Sequence, residues 1–236
     1  MNICIIPARG GSRRIARKNI RPFCGRPVIA YSVQAAARSG CFARIAVSTD
    51  DEEIAETARR FGAEVPFVRP AELAGDFATT GDVMQHAARM LLDGLPPDEA
   101  AAAKLCCLYA AAPLASPEDL RSGLALLEGK PDADYAFAAT RYPYPIQRAL
   151  RRADDGRVGM FHPELFSTRS QDLEEAWHDA GQFYWGTAAA WLEGRPVFNS
   201  RAYAVALPRW RVQDIDTEED WAQAEILYRM LNADKP

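Results

Sequence analysis

The alternation of short apolar and helix-patterned runs in the first third of the chain restricts its fold more than any other feature. Ile3–Ile6 is an unbroken apolar run of strand length. Pro27 stands at a first helical position, Ile29, Val33 and Ala36 follow at helical spacing, and Gly40 marks the stop. Arg44–Thr49 is a second strand. A second helix buries Ile54, Ala58 and Phe61 and ends at Gly62, and Glu64–Val68 is a third extended run. An order of β-α-β-α-β predicts a parallel sheet with helices on its faces.

The later chain continues in the same style with one interruption. Thr80 is expected to cap a helix carrying Val83, Ala87 and Met90, which Leu95-Pro96-Pro97 breaks. Lys104–Tyr109 has a wholly apolar interior, as a central strand requires. Ser116-Pro117-Glu118 opens a helix, Asp134–Thr140 is a strand, and Gln182–Trp185 and Ala202–Leu207 are the last strands. Thr217 and Asp220 form a capping box for a final helix with Trp221, Ala224, Tyr228 and Leu231 on one face. Between them, 141–180 does not alternate cleanly, and Tyr142-Pro143-Tyr144-Pro145 cannot be helical. A structureless loop of that length is unusual in a compact domain. It is expected to be an arm or flap whose apolar residues are covered by a partner subunit or a substrate. With no repeat, low-complexity stretch or linker, 1–236 is expected to form a single domain.

Charge distribution narrows the function. The net charge of −4 argues against bulk nucleic-acid binding. Yet the chain carries nine Lys or Arg before its first acid, Asp50. The simplest reason for such a one-sided end is a polyanionic ligand. The five cysteines show no CxxC spacing and suit small core positions in a reducing, cytoplasmic protein. Pro7 and Arg9 cut the first apolar run too early for a signal peptide. Leu105–Ala115, the longest apolar stretch, falls far short of the ~20 residues that span a bilayer.

Three constellations could carry chemistry. The first is the loop from Pro7 to Ile20, with Ala8, Arg9, Gly10, Gly11, Ser12 and Lys18. It is neither a Walker A loop nor a full dinucleotide fingerprint. It does place a glycine turn after a buried strand, where open α/β sheets bind ligands. Backbone N–H groups, arginine forks and Lys18 could hold a triphosphate and stabilise a leaving pyrophosphate; a solvated basic loop is the plainer alternative. The second is Asp214-x-Asp216, two carboxylates that could share Mg²⁺ with phosphate oxygens, or simply favour the following helix N-terminus. The third is Ser48-Thr49-Asp50-Asp51, where Asp50 could orient a ribose or a base, or cap a helix. His86, His162 and His178 have no metal-ligand spacing.

Taken together, Ile6-Pro7-Ala8-Arg9-Gly10-Gly11-Ser12 and Arg17-Lys18-Asn19-Ile20 resemble the signature of the cytidylyltransferases that make CMP-activated nonulosonic acids. Val47-Ser48-Thr49-Asp50, Arg69-Pro70-Ala71-Glu72-Leu73-Ala74 and Asp214-Ile215-Asp216-Thr217 extend the resemblance in the right order. Lys18-Asn19 separates the chain from Kdo cytidylyltransferases. Leu108–Pro113, Tyr142–Leu150, Ser170–Glu175 and His178–Gly186 look most like the pseudaminic branch. Arg13 and Ala16 depart from the lysine and proline usual at their positions, without loss of charge.

The resemblance implies a Rossmann-like α/β nucleotidyltransferase fold, a three-layer sandwich with a mainly parallel sheet and a protruding dimerisation arm, hence a homodimer. It implies transfer of CMP from CTP to the anomeric hydroxyl of a nonulosonic acid, with pseudaminic acid expected ahead of N-acetylneuraminic or legionaminic acid. A non-catalytic nucleotide-binding module is the distant alternative. By position, Arg9 and Lys18 would contact the triphosphate, Asn19 the nucleotide, and Arg69 and Thr80 the cytidine and phosphates. Tyr109, Gln182, Phe183 and Tyr184 would face the sugar, and Asp214 and Asp216 would hold Mg²⁺.

Overall fold

A computed structural model describes residues 1–233. The chain begins with β1 (Asn2–Pro7), the small hairpin β2 (Pro22–Phe23) and β3 (Arg26–Pro27), α1 (Val28–Ser39), β4 (Arg44–Ser48) and α2 (Glu52–Arg60). It continues with α3 (Thr80–Leu92), α4 (Pro97–Ala102), β5 (Lys104–Leu108), α5 (Pro117–Glu128) and β6 (Tyr135–Arg141). A second hairpin, β7 (Leu150–Arg152) and β8 (Val158–Met160), precedes β9 (Trp177–Thr187), α6 (Ala188–Leu192), β10 (Ala202–Ala206) and α7 (Glu218–Leu231).

Six strands form one sheet in the order β10-β6-β9-β5-β1-β4. β1 pairs in parallel with both β4 and β5, and β10 pairs in parallel with β6. β9 alone runs the other way, antiparallel to both β5 and β6. The expected mainly parallel sheet is therefore present. Because β1 has crossovers leaving to both sides, a crevice opens outside the carboxyl ends of β1, β4 and β5.

The apolar run at the start of the chain is explained by burial on both faces. Cys4 and Ile6 pack with Ile29 and Val33 of α1, Ile54 and Ala58 of α2, and Leu120 and Leu127 of α5. Ile3 and Ile5 face the other layer, with Met84, Ala88 and Leu91 of α3 and Trp191 of α6. These are the three layers. A third, smaller cluster gathers Ile15, Phe23, Val28, Ile215, Trp221 and Ala224. It clamps the opening loop to the segment before α7, so two ends of the chain meet.

Three expectations are corrected in detail. Glu64–Val68 is not a strand but two isolated parallel bridges, Ala46 to Glu64 and Thr49 to Val68; Pro66 between them has no N–H for a ladder. Thr79, not Thr80, caps α3, in a capping box with Asp82. The segment expected as a free arm is shorter at its base, because β6 runs to Arg141 and β9 starts at Trp177. What stands out is the β7–β8 hairpin and its flanks, exposing Tyr144, Leu150, Val158 and Phe166.

Candidate active site

A cleft of about 560 Å³ occupies the crevice at the carboxyl ends of the parallel strands. The loop after β1 shapes its floor. Ala8 is buried, its N–H donating to the Ser48 carbonyl at 2.9 Å. The Gly10 N–H donates to Asp50 Oδ1 at 3.0 Å. A Cβ on Gly10 would sit 2.7 Å from Asp51 Oδ2, so close approach to the α2 cap demands glycine here. Asp50 thus steadies the loop, and Asp51 caps α2 by accepting from the Ile54 N–H. Neither Ala8, Gly10 nor Gly11 lines the cleft, and the Ala8 and Gly10 N–H groups are taken up by Ser48 and Asp50. Arg17, in a left-handed conformation, swings away to pair with Asp51 and Glu53.

The remaining cations converge on the cleft. Arg9 Nη1 donates to the Gly75 carbonyl at 3.0 Å and to Asp76 Oδ1 at 3.1 Å. Arg13 reaches the same Asp76 at 2.6 Å. Lys18 donates to the Ile215 carbonyl and lies 3.5 Å from Asp216 Oδ1, which Arg14 contacts at 2.8 Å. The Asn19 amide donates to the Arg9 carbonyl at 2.9 Å and fixes the course of the loop. Arg69 differs from the rest. It is 4% exposed, and its guanidinium donates to Ser48 Oγ at 3.1 Å and to the Ser48 carbonyl. Among the described residues it has no carboxylate ion pair, and burial pulls it down to about 10. Asp50 favours that charge from beyond ion-pair reach, and a buried cation so placed at a cleft wall suits an anion.

The opposite wall carries Asp214 and Asp216. Ile215 between them is fully buried in the third cluster, which turns both flanking carboxylates outward. Gly181 of β9 has a φ of +61°, and a Cβ there would lie 3.1 Å from Asp214 Cγ. Burial, then the nearby Asp216, raises the Asp214 carboxyl above the usual range. Two carboxylates that repel one another in a partly buried cleft suit a hard divalent cation that takes one or two protein ligands and completes its shell with phosphate and water. Among the described residues no group of three or more His, Cys, Asp or Glu could hold a metal ion by itself.

Past Thr79, Thr80 and Tyr109 the cleft adjoins a second chamber of about 230 Å³, lined also by Asp179, Tyr184, Trp191, Val197 and Phe198. Thr80 Oγ1 lies 3.2 Å from the Tyr109 hydroxyl, and burial pushes that phenol up to about 12.

Thus the structure brings Arg9, Ser12, Lys18, Asn19, Arg69, Thr80, Tyr109, Asp214 and Asp216 to one cleft, with Tyr184 in the adjoining chamber. Phe183 is not brought there. Strand alternation points it to the opposite face, where its ring packs against Gly123 of α5. Gln182 is buried and donates to the Arg211 carbonyl at 2.7 Å, bracing the chain that leads to Asp214. Asp76, Thr79, Asp179 and Phe198 escaped the sequence reading, because only tertiary structure carries them to the site.

The chain matches the cytidylyltransferase family over residues 3–153. The chain belongs to that family. This cytidylyltransferase is 44% identical over 229 residues to the pseudaminic acid cytidylyltransferase of Campylobacter jejuni serotype O:2, covering 97% of each chain. It is 31% identical to the CMP-N,N′-diacetyllegionaminic acid synthase of Legionella pneumophila, over 97% of this chain and 96% of that one. In three dimensions it resembles CMP:2-keto-3-deoxy-manno-octonic acid synthetase complexed with CTP, with a TM-score of 0.69 at 17% identity, over 98% and 99% of the two chains. At that identity the likeness speaks for the fold. The protein is a nucleotidyltransferase, and the expectation of a non-catalytic module is set aside.

Proposed function

We propose that the enzyme transfers CMP from CTP to the anomeric hydroxyl of a nonulosonic acid, pseudaminic acid first, and releases pyrophosphate. The observation that carries this reading is the placement of Arg9, Lys18 and Arg69 in one cleft with Asp214 and Asp216, next to an aromatic chamber. The triphosphate lies along the cations and the sugar reaches in from the chamber. The anomeric oxygen bonds to the α-phosphorus as the bond to the α,β-bridging oxygen breaks, and the hydroxyl proton leaves to water. Catalysis is then chiefly positioning and charge neutralisation.

Each residue has a role set by its surroundings. Arg69, held by Ser48, offers a charge that need not move when phosphate arrives. Arg9 and Lys18 exchange their present carboxylate contacts for phosphate oxygens and stabilise the leaving pyrophosphate. Asp214 and Asp216 would hold Mg²⁺, which when bound neutralises phosphate charge and lowers the pKa of the attacking hydroxyl. Tyr109 and Tyr184 bound the sugar side.

Pseudaminic acid is preferred over legionaminic and N-acetylneuraminic acids because the pseudaminic relative is 44% identical and the legionaminic one 31%. The test is pyrophosphate release with CTP, Mg²⁺ and each of the three sugars. Fastest turnover with pseudaminic acid is expected; no release with any of them, or faster release with another, refutes the reading.

The exposed Tyr144, Leu150, Val158 and Phe166 of the arm support a homodimer, and we place the enzyme in the cytoplasm, in keeping with its five free thiols. Sedimentation equilibrium at micromolar concentration should return twice the chain mass, and a monomer would refute the pairing.

A further inference from the structure

The aromatic chamber holds a carboxylate that none of these roles uses. Asp179 sits on β9 opposite Ala139 of β6, at the chamber wall. Its Oδ1 accepts from the Gly181 N–H at 3.0 Å, and its Oδ2 accepts the Tyr184 hydroxyl proton. Tyr184 is 4% exposed and fixed by its neighbours: its ring stacks on Phe137 with centroids 6.2 Å apart and tilts against Tyr109 at 5.4 Å. A phenol has one proton. With that proton committed to Asp179, the Tyr184 oxygen offers only lone pairs to whatever enters. On the facing wall Val197 and Phe198 are apolar and the Trp191 N–H is spent on the Leu105 carbonyl at 3.0 Å, while at the mouth the Thr80 and Tyr109 hydroxyls share a hydrogen bond of 3.2 Å and the Thr79 hydroxyl donates to Asp82.

We propose that Asp179 is a positioning residue that sets the polarity of this chamber, making Tyr184 an acceptor so that the chamber takes an acylamino substituent of the acceptor sugar. The amide N–H donates to the Tyr184 oxygen, and the acyl methyl lies against Trp191, Val197 and Phe198. A substituent that brings only lone pairs to the Tyr184 oxygen meets lone pairs there, and a buried mismatch leaves both sides unpaired. The inference rests on the proposed CMP transfer to a nonulosonic acid, and it says which part of that sugar is read and by what.

Asp179→Asn tests it with little change of shape. The new amide donates to the Tyr184 oxygen and frees the tyrosine proton, so the chamber changes from acceptor to donor. The expected result is a rise of about tenfold or more in KM for pseudaminic acid, with KM for CTP and the melting temperature unchanged. Tyr184→Phe should give a similar rise, and the double variant no more than either alone, because toward the sugar Asp179 acts through Tyr184. An unchanged sugar KM in Asp179→Asn overturns the proposal. So does a parallel rise in KM for CTP, or full additivity in the double variant. If the wild-type enzyme releases no pyrophosphate with any nonulosonic acid, the proposed reaction fails. Calorimetric titration of pseudaminic acid into the CTP-loaded protein then tests the chamber separately, with binding lost in Asp179→Asn as the supporting result and retained binding as the refuting one.

Discussion

Arg69→Met should make the protein more stable and nearly unable to bind CTP. The guanidinium is 4% exposed, and its proton affinity falls from the ordinary value to about 10, with burial the main cause. That drop corresponds to roughly 3 kcal/mol of destabilisation of the charged form. The folded state binds this proton more weakly than the unfolded chain, so the penalty is fully present at neutral pH. It is relieved only as pH rises past about 10. Methionine removes the charge and fills similar volume. It forfeits two hydrogen bonds to Ser48 worth about 1 kcal/mol each, while the Ser48 carbonyl keeps the Ala8 N–H. The net gain is on the order of 1 kcal/mol, or roughly 2–4 °C in melting temperature for a chain of this size. CTP loses a preorganised charge worth about 3 kcal/mol, more than a hundredfold in affinity. Thermal melts without ligand and calorimetric CTP titration measure both. A melting temperature lowered by several degrees, or CTP affinity within threefold of wild type, would refute the assignment of Arg69 as a ligand-directed charge.

Three further substitutions probe other parts of the cleft. Asp216→Ala should lower turnover by at least about a hundredfold while CTP binding persists; near-normal turnover at saturating Mg²⁺ contradicts the metal role. Lys18→Ala should weaken CTP binding and slow the reaction together, by about tenfold each, if the ammonium holds the leaving phosphates as proposed. Unchanged kinetics would remove the loop from the mechanism. Gly181→Ala should cost about 1–2 kcal/mol from its left-handed backbone. It should also cost far more in turnover than that loss explains, since the new methyl would press on Asp214, 3.1 Å away. Equal losses in stability and activity would separate Gly181 from the carboxylate.

Much of the scaffold could be read from local sequence. Ile3–Ile6, the Ser116-Pro117 helix start and the Thr217–Asp220 capping box each carry their signal within a few residues. Thr79 and Thr80 differ in role by one position, and only the Asp82 partner decides which of them caps. Long-range pairing was not legible. The cations of the opening loop have no acid nearby in sequence, yet Asp51, Asp76 and Asp216 reach them from three different connections. Hence only some of those cations face the cleft, and Arg17 serves α2 instead. Phe183 and Tyr184 are neighbours in sequence, but the pleat sends one to the core and one to the chamber. The second wall of the site, built by Asp179 and Phe198, needs the reversed strand and has no local signature.

That reversed strand joins two parts of the molecule that loops would otherwise separate. β9 begins at Trp177 at the root of the arm and ends at Thr187 beneath α6. Along it lie Asp179 and Tyr184 of the chamber, Gly181 under Asp214, and Gln182 bracing the aspartate segment. The ladder of β9 to β6 is interrupted between Asp179 and Tyr184, opposite Ala139 and Phe137, and its ladder to β5 covers only Phe183 to Thr187. The irregular stretch is where Gly181 takes its left-handed backbone under Asp214, so the chamber wall and the aspartate segment meet at the bulge of the strand.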